Sequence, residues 1–313
     1  MPPTILDRTF FCELSLQIEE LDQHLIVHPK TGMLMAMVPA GKFLTDTDGV
    51  PFEVDLPAYY VAVHPVTNAQ YARFVNETEH PNAERSHPYS RSVWNNGTFP
   101  SGKADYPAVC VGWDDAAAYC LWAGLRLPTE LEWEKAARGQ DGRAFPWGQN
   151  WNPSRCRNTQ NKGAETTANV WSYGHGGSPY GGLQLSGNVW EWCNDYYDDG
   201  AYTRYRQGDL TVPISGEFRL VRGGSWNRGG PRKPIERHYS WSSLNYSRGY
   251  GDPWTSEGRR SIEWEKELEK ERVEREKELA IRDFSAGRRG RRRPDAHDDS
   301  CGFRCVDAVG ASL

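Results

Sequence analysis

Leu125-Arg126-Leu127-Pro128-Thr129-Glu130-Leu131-Glu132-Trp133-Glu134-Lys135-Ala136-Ala137-Arg138-Gly139 is the stretch from which the rest of the chain can be read. Thr129 followed by Glu132 is a capping box: the hydroxyl accepts from an early helix amide, and the carboxylate reaches back to the N-cap amide. Leu131, Trp133, Ala136 and Ala137 follow and Gly139 supplies a stop, so the spacing predicts a short helix. The same grammar occurs twice upstream. Thr67 with Gln70, ahead of Tyr71, Phe74 and Val75, predicts one helix. Asp114, ahead of Ala116–Ala118, Tyr119 and Trp122 with Gly124 as the stop, predicts another.

Around these helices, from Met33 to about Gly251, the chain is rich in Gly, Trp and Tyr and dense in turn signals. It reads as short strands and irregular loops about a few helices. The 313 residues allow one large domain or two ordinary ones. An aromatic content of 12% is too high for a disordered chain. No apolar run reaches the roughly 20 residues that cross a bilayer. Met1-Pro-Pro-Thr-Ile-Leu-Asp-Arg lacks a basic region followed by an apolar stretch, so a cytoplasmic protein is expected. Residues 1–30, weakly amphipathic around Leu14, Ile18 and Leu21, read as a lead-in; residues 31–313 read as the domain.

The seven cysteines, Cys12, Cys110, Cys120, Cys156, Cys193, Cys301 and Cys305, are odd in number and contain no C-x-x-C. That argues against a disulfide framework and a structural zinc site, and favours buried free thiols. Cys301 and Cys305 would stand about 13 Å apart on one strand, beyond disulfide reach.

Composition shifts near residue 253. Residues 257–283 interleave acids and bases in helical pairs such as Glu267–Lys270 and Glu271–Arg275, without a heptad seam, which predicts a solvated charged helix. Arg288-Arg289-Gly290-Arg291-Arg292-Arg293 could attract phosphate. Asp295, Asp298 and Asp299 follow at once, however, and the whole chain carries net charge −5. This segment therefore reads as a flexible charged loop, with no nucleic-acid partner expected. The stretch 253–299 counts as an insert, and Gly302-Phe303-Arg304-Cys305-Val306 as one last strand.

Five segments in order, with a closing sixth, carry a resemblance. They are Met37-Val38-Pro39-Ala40-Gly41-Lys42-Phe43, Val66-Thr67-Asn68-Ala69-Gln70-Tyr71-Ala72-Arg73-Phe74, the Leu125–Gly139 stretch, Gly187-Asn188-Val189-Trp190-Glu191-Trp192, Arg222-Gly223-Gly224-Ser225-Trp226 and Gly302-Phe303-Arg304. Spread over about 270 residues, they make the chain resemble the formylglycine-generating-enzyme (sulfatase-modifying factor) family. The resemblance implies an α+β domain with a C-type-lectin-like fold: a twisted antiparallel sheet, few helices and much irregular structure.

Enzymes of that family bind copper through two reactive cysteines shortly after the Gly-Gly-Ser segment and oxidise a substrate cysteine with O₂. Here Arg228 and Lys233 stand in those places, and no cysteine occurs between Cys193 and Cys301. A guanidinium and an ammonium do not replace thiolates as Cu(I) ligands. No copper is expected, and the copper-dependent oxidoreductase is kept as the alternative. Iron-dependent sulfoxide synthases, a related branch, use a His-x-x-x-His-x-Glu triad. His24-Leu25-Ile26-Val27-His28-Pro29-Lys30 imitates its first half, but Lys30 takes the carboxylate position, so both histidines read as surface residues.

A third branch, the variable proteins of diversity-generating retroelements, uses this scaffold to display a segment diversified at adenines between Arg-Gly-Gly-Ser-Trp and Gly-Phe-Arg. The corresponding stretch here, 226–250, is rich in Ser, Tyr, Asn, Arg, Gly and His, the mixture that paratopes use. The resemblance therefore implies a ligand-binding protein without catalysis, meeting a protein or other macromolecule. Its contact candidates are Trp226, Asn227, Arg228, Arg232, His238, Tyr239, Trp241, Asn245, Tyr246 and Tyr250. It also implies one cofactor, a structural Ca²⁺, held by side-chain oxygens of Gln184 and Glu191 and carbonyls of Gly187 and Val189, with Asn158 near a second such site. Trp113, Trp122, Trp133, Trp147, Trp190 and Trp192 read as core or core-edge packing. Glu130, Glu132 and Glu134 with Arg126 and Arg138 read as caps and surface ion pairs.

Overall fold

The computed structural model describes residues 25–47, 50–81, 83, 94, 95, 97–228, 267, 270, 271, 274, 278 and 282–309. Each of the three predicted helices forms. In α1 (Asn68–Thr78), Thr67 and Gln70 exchange the two bonds of a capping box. In α2 (Trp113–Ala123) the N-cap is Gly112, and its amide donates to Asp115 at 2.9 Å. Asp114 is therefore not the cap: only the third helical position reaches back to the N-cap amide. In α3 (Glu130–Arg138), Thr129 and Glu132 form the predicted box. The sequence reading did not anticipate α4 (Ala201–Arg206), which has only six residues.

The strands are β1 (Leu25–Val27), β2 (Leu34–Val38), the hairpin β3 (Gly41–Thr47) and β4 (Val50–Leu56), β5 (Tyr59–Ala62), β6 (Trp190–Tyr196), β7 (Arg219–Arg222), β8 (Arg289–Arg292), β9 (Cys301–Gly302) and β10 (Val306–Ala308). One sheet runs β1-β2-β5-β10, all antiparallel; the other runs β8-β7-β6-β9, with β9 parallel to β6. The expected closing strand is thus two strands, one in each sheet. The interruption has a cause. Arg304, fully buried, turns inward to donate to the carbonyls of Ala62 at 3.0 Å and Leu183 at 2.8 Å and to both oxygens of Glu191 at 2.5 and 2.6 Å. One residue thereby ties the two sheets together.

The main core gathers Tyr71, Tyr119, Trp94, Trp190, Trp192 and Phe303. Trp133 is also buried, whereas Trp113, Trp122 and Trp147 are half-buried at the core edge. Six cysteines are buried and free, Cys12 lying outside the described residues. Cys305 lies beside Cys120 rather than Cys301, with the two sulfurs 3.4 Å apart. His28, read from sequence as a surface residue, is buried in the turn after β1, its Nδ1 2.9 Å from the Thr31 hydroxyl. Burial lowers its pKa. His24 lies outside the described residues. Among the described residues no helix is long and apolar enough to cross a membrane.

Two charged features differ from the sequence reading. Glu130 and Glu134 are buried, not superficial. Arg222 of β7, itself fully buried, donates to Glu134 at 2.6 Å and to Glu130 at 3.2 Å. Glu134 also accepts from Thr45 at 2.5 Å, from Arg138 at 2.8 Å and from the Tyr202 hydroxyl. Burial works to raise the Glu134 carboxyl, but Arg222 and Arg138 outweigh it and hold the pKa below the usual range. Glu132, also buried, forms the expected cap and pairs outward with the half-exposed Arg126 at 2.6 Å.

The arginine run is likewise not a flexible loop but an edge strand. Alternate residues share a face, and aromatic rings fill the spaces between them. The Arg289 guanidinium lies 5.1 Å from the Tyr202 ring and 4.7 Å from Tyr197. Arg291 lies 5.3 Å from Tyr197 and 5.2 Å from Phe218, and Arg293 is 5.6 Å from Phe218. Each contact contributes about 0.5–1 kcal/mol where exposed, and charge on an edge strand discourages pairing with another chain. Phe284 and Ala286, within the charged stretch, are buried in the domain. The described residues of the preceding segment, Glu267, Lys270, Glu271, Glu274 and Glu278, are helical and exposed, as expected of a solvated charged helix.

Asp195 on β6 accepts the Glu130 amide at 2.9 Å and so caps α3 from outside. Burial, reinforced by the neighbouring Glu130 carboxylate, pushes its pKa up to about 7 from 3.8. Between these values the folded chain keeps a proton that the unfolded chain has released. The Asp195 contribution to stability therefore falls as pH rises from about 4 to about 7 and is level above that. Asp195→Asn keeps an acceptor for the Glu130 amide and removes the titration. Melting temperatures followed by circular dichroism from pH 4 to 8 should show a shallower decline for the variant and equal or greater stability at pH 8. An unchanged slope would show that Asp195 carries no such proton.

Candidate functional site

The site grows from two interlocked turns. In the first, Gly187 adopts φ +76°, and a Cβ there would stand 2.3 Å from the Arg157 carbonyl oxygen, so no other residue fits. Asn188 follows at φ +61°, a conformation that Asn tolerates. Its side chain clasps Ala168, accepting from the amide at 2.9 Å and donating to the carbonyl at 3.2 Å. In the second turn Gly224 adopts φ +75°, with its missing Cβ only 2.7 Å from the Asp283 carbonyl. The turns are joined by the Gly187 amide donating to Gly223 at 2.7 Å and the Trp226 amide donating to Asn188 at 2.8 Å. Gly-Asn-Val-Trp-Glu-Trp and Arg-Gly-Gly-Ser-Trp, some 35 positions apart, are one structural unit.

This unit aims the start of the proposed contact segment. Trp226 is half-buried, donating from Nε1 to the Asp299 carbonyl at 3.0 Å, with the Lys162 ammonium 4.8 Å from its ring centroid. Asn227 and Arg228 are exposed. The Asn227 side-chain oxygen accepts from the Ser225 hydroxyl at 2.8 Å. The Arg228 amide donates to Ser225 at 3.0 Å, and its carbonyl accepts from the Thr159 amide at 3.2 Å. Arg232, Lys233, His238, Tyr239, Trp241, Asn245, Tyr246 and Tyr250 lie outside the described residues. Lys162 and Asp299, which frame Trp226, and Thr159, which holds the Arg228 carbonyl, carry no signal in the sequence. Sixty or more residues separate each of them from Trp226, and no spacing rule links them.

Among the residues expected at calcium, Glu191 is fully buried, with one oxygen accepting from Arg304 and the other from both Arg304 and Trp133 Nε1, the last at 2.7 Å. Gln184 adopts φ +61° and donates to the Ser172 carbonyl at 2.5 Å. Its Oε1 is buried and, among the described residues, has no hydrogen-bond partner. A carbonyl-type oxygen withheld from water and unpaired is the kind of donor a hard cation takes. Asn158 is buried and spends its side chain on its own loop, donating to Pro153 and Cys156 carbonyls at 2.8 and 3.0 Å and accepting from the Gln160 amide at 2.8 Å. Among the described residues no cluster of three or more His, Cys, Asp or Glu is arranged to hold a metal.

The six described cysteines sit elsewhere in the chain. Burial pushes the Cys156 thiol up to about 12 and those of Cys193, Cys301 and Cys305 well above the ordinary value. A thiol that holds its proton is neither a nucleophile nor a soft ligand near neutral pH.

Residues 25–261 match the sulfatase-modifying factor enzyme 1-like domain family. The formylglycine-generating enzyme of Streptomyces coelicolor is 32% identical over 253 residues, which is 63% of this chain and 80% of that protein. The inactive C-alpha-formylglycine-generating enzyme 2 of Mus musculus is 29% identical over 276 residues, 72% of this chain and 82% of that protein. In three dimensions, PvdO from Pseudomonas aeruginosa superposes with TM-score 0.59 at 20% identity, covering 91% of this chain and 98% of PvdO. Treponema denticola variable protein 1 superposes with TM-score 0.57 at 19% identity, covering 90% and 98%. Motifs, fold and sequence matches agree, and the chain belongs to the sulfatase-modifying factor enzyme 1-like domain family.

Proposed function

We propose that this chain is a ligand-binding, non-enzymatic member of its family that displays segment 226–250 as a diversified contact surface. The observation that carries the reading is Arg228. It occupies the place where the family resemblance puts the first reactive thiol, and it is exposed, with its backbone held between Ser225 and Thr159. A guanidinium keeps its proton near neutral pH and presents only donors, so it grips anions and aromatic faces but does not bind Cu(I) as a thiolate does. Beside it, half-buried Trp226 and the Lys162 ammonium offer an aromatic anchor and a second cation, features that suit a protein or other macromolecular ligand. The shared scaffold of a variable protein and the inactive relative both support the reading. The buried free thiols fit a reducing cytoplasm.

The alternative, a copper-dependent oxidoreductase, is favoured by the 32% identity to a formylglycine-generating enzyme. Incubation with Cu(I), O₂ and a Cys-containing peptide separates the two. Mass spectrometry should find the peptide unchanged; conversion of its cysteine to formylglycine would overturn the proposal. Diversification has its own test in the surrounding DNA. A near-copy of the codons for 226–250 should differ from them almost solely where the copy carries adenine. Differences spread evenly over the four bases would refute it.

A structural Ca²⁺ belongs to the same proposal. Gln184 Oε1, the Gly187 and Val189 carbonyls and Glu191 would hold it, the carboxylate being shared with Arg304. The ion would lend rigidity to the turn from which Trp226 emerges. Millimolar Ca²⁺ should then raise the melting temperature relative to EDTA, and Gln184→Ala should abolish the difference. Identical melting in both conditions would remove calcium from the proposal.

A further inference from the structure

Away from segment 226–250, two short 3₁₀ turns, Pro153–Arg155 and Gly174–Gly176, are pressed against each other. The approach is so close that a Cβ on Gly176 would stand 1.9 Å from the Arg155 carbonyl oxygen. Arg155 locks the pair from its side chain as well, Nη1 donating to the His175 carbonyl at 2.7 Å. The turns form part of the wall of a cavity of about 280 Å³, whose lining includes Trp147, Arg143, Arg155, His175, Pro179 and Leu183. Its walls are preset. The Trp147 ring is stacked on buried Phe145, centroids 5.3 Å apart and planes within 7°, and Trp147 Nε1 is satisfied by the Asn150 carbonyl at 2.9 Å.

The two guanidiniums differ. Arg143 is forked onto Asp141 at 2.8 and 2.7 Å, so its charge is already met. Arg155 is half-buried and, among the described residues, pairs with no carboxylate. Its Nε and Nη2 remain as donors in a fixed plane, the geometry that takes a carboxylate through two parallel bonds. Trp147 provides a flat apolar wall, and Pro179 and Leu183 provide apolar sides. The volume falls just below the roughly 300–1,000 Å³ typical of small-molecule sites, so the occupant is about one ring in size.

From this arrangement we infer that the cavity binds a small aromatic carboxylate, its ring against Trp147 and its charge on Arg155. Among the described residues, no lining residue belongs to segment 226–250, so binding here is measured separately from the contact surface above. Fluorine NMR on the full chain tests it, with 4-fluorobenzoate as the probe. The probe signal should broaden on adding protein and sharpen again when unlabelled benzoate competes. Neutral 4-fluorobenzamide, matched in shape, should bind about tenfold more weakly or worse, and Arg155→Gln should weaken benzoate binding to a similar degree. The benzoate-to-benzamide comparison needs no variant, so it decides the matter even where Arg155→Gln fails to fold. No broadening, equal binding of the amide, full affinity in a folded Arg155→Gln variant, or displacement by inorganic phosphate as effective as by benzoate would each overturn the assignment.

Discussion

Arg222, buried without any contact with water, is the group on which the arrangement of α3 against the second sheet depends. Two carboxylates of one helix turn, Glu130 and Glu134, would repel each other in a poorly solvating interior. The guanidinium between them, seconded by Arg289 on Glu130 and by Arg138 on Glu134, makes the cluster tolerable. Carbonyls of Ala286 and Gly287 accept from the same guanidinium at 2.8 and 3.1 Å. The return of the chain after the charged helix is thereby tied to the same point. Removing one partner of such a buried set typically costs about 3–5 kcal/mol, because the remaining charge is left unmatched. The network thus acts more as a specification of which elements meet than as a reserve of stability.

A second set has the same logic. Arg304 binds Glu191 of one sheet, the Ala62 carbonyl of the other and the Leu183 carbonyl, and Trp133 of α3 donates to the Glu191 carboxylate. Both motif arginines, one in Arg-Gly-Gly-Ser and one in Gly-Phe-Arg, are therefore internal clamps. Between them the paired turns at Gly187 and Gly224 bring Trp226 to the surface at a fixed place. Asn227 and Arg228, which follow, are exposed, and neither side chain takes part in the two arginine clamps.

The legible part of the site was local. The Thr67 and Thr129 caps, the helix stops and the aromatic core could be read because each depends on residues a few positions apart. The placing of Arg228 in the loop after Gly-Gly-Ser came from motif order. What could not be read was burial of charge. Glu130 and Glu134 have the spacing of an ordinary solvated helix face, and Arg288–Arg293 has the composition of a flexible basic loop. Nothing within either segment announces that Arg222, Tyr197, Tyr202 and Phe218 wait elsewhere in the chain to receive them. The framing of Trp226 by Lys162 and Asp299, and the meeting of Arg155 with His175, are hidden for the same reason.

The amino-acid sequence alone determined three of the helices, the glycine stops of two of them, the aromatic character of the core and the absence of cysteine between Cys193 and Cys301, since these follow from near neighbours or from composition. Tertiary structure alone decided which charges are internal, that the last motif divides between two sheets, and that the arginine run is a strand stacked with aromatic rings. Those outcomes depend on desolvation and on partners 60 to 240 residues away, such as Ala62 for Arg304. A charged side chain has the same local pattern whether it faces water or a buried counter-charge, and only the assembled fold tells them apart.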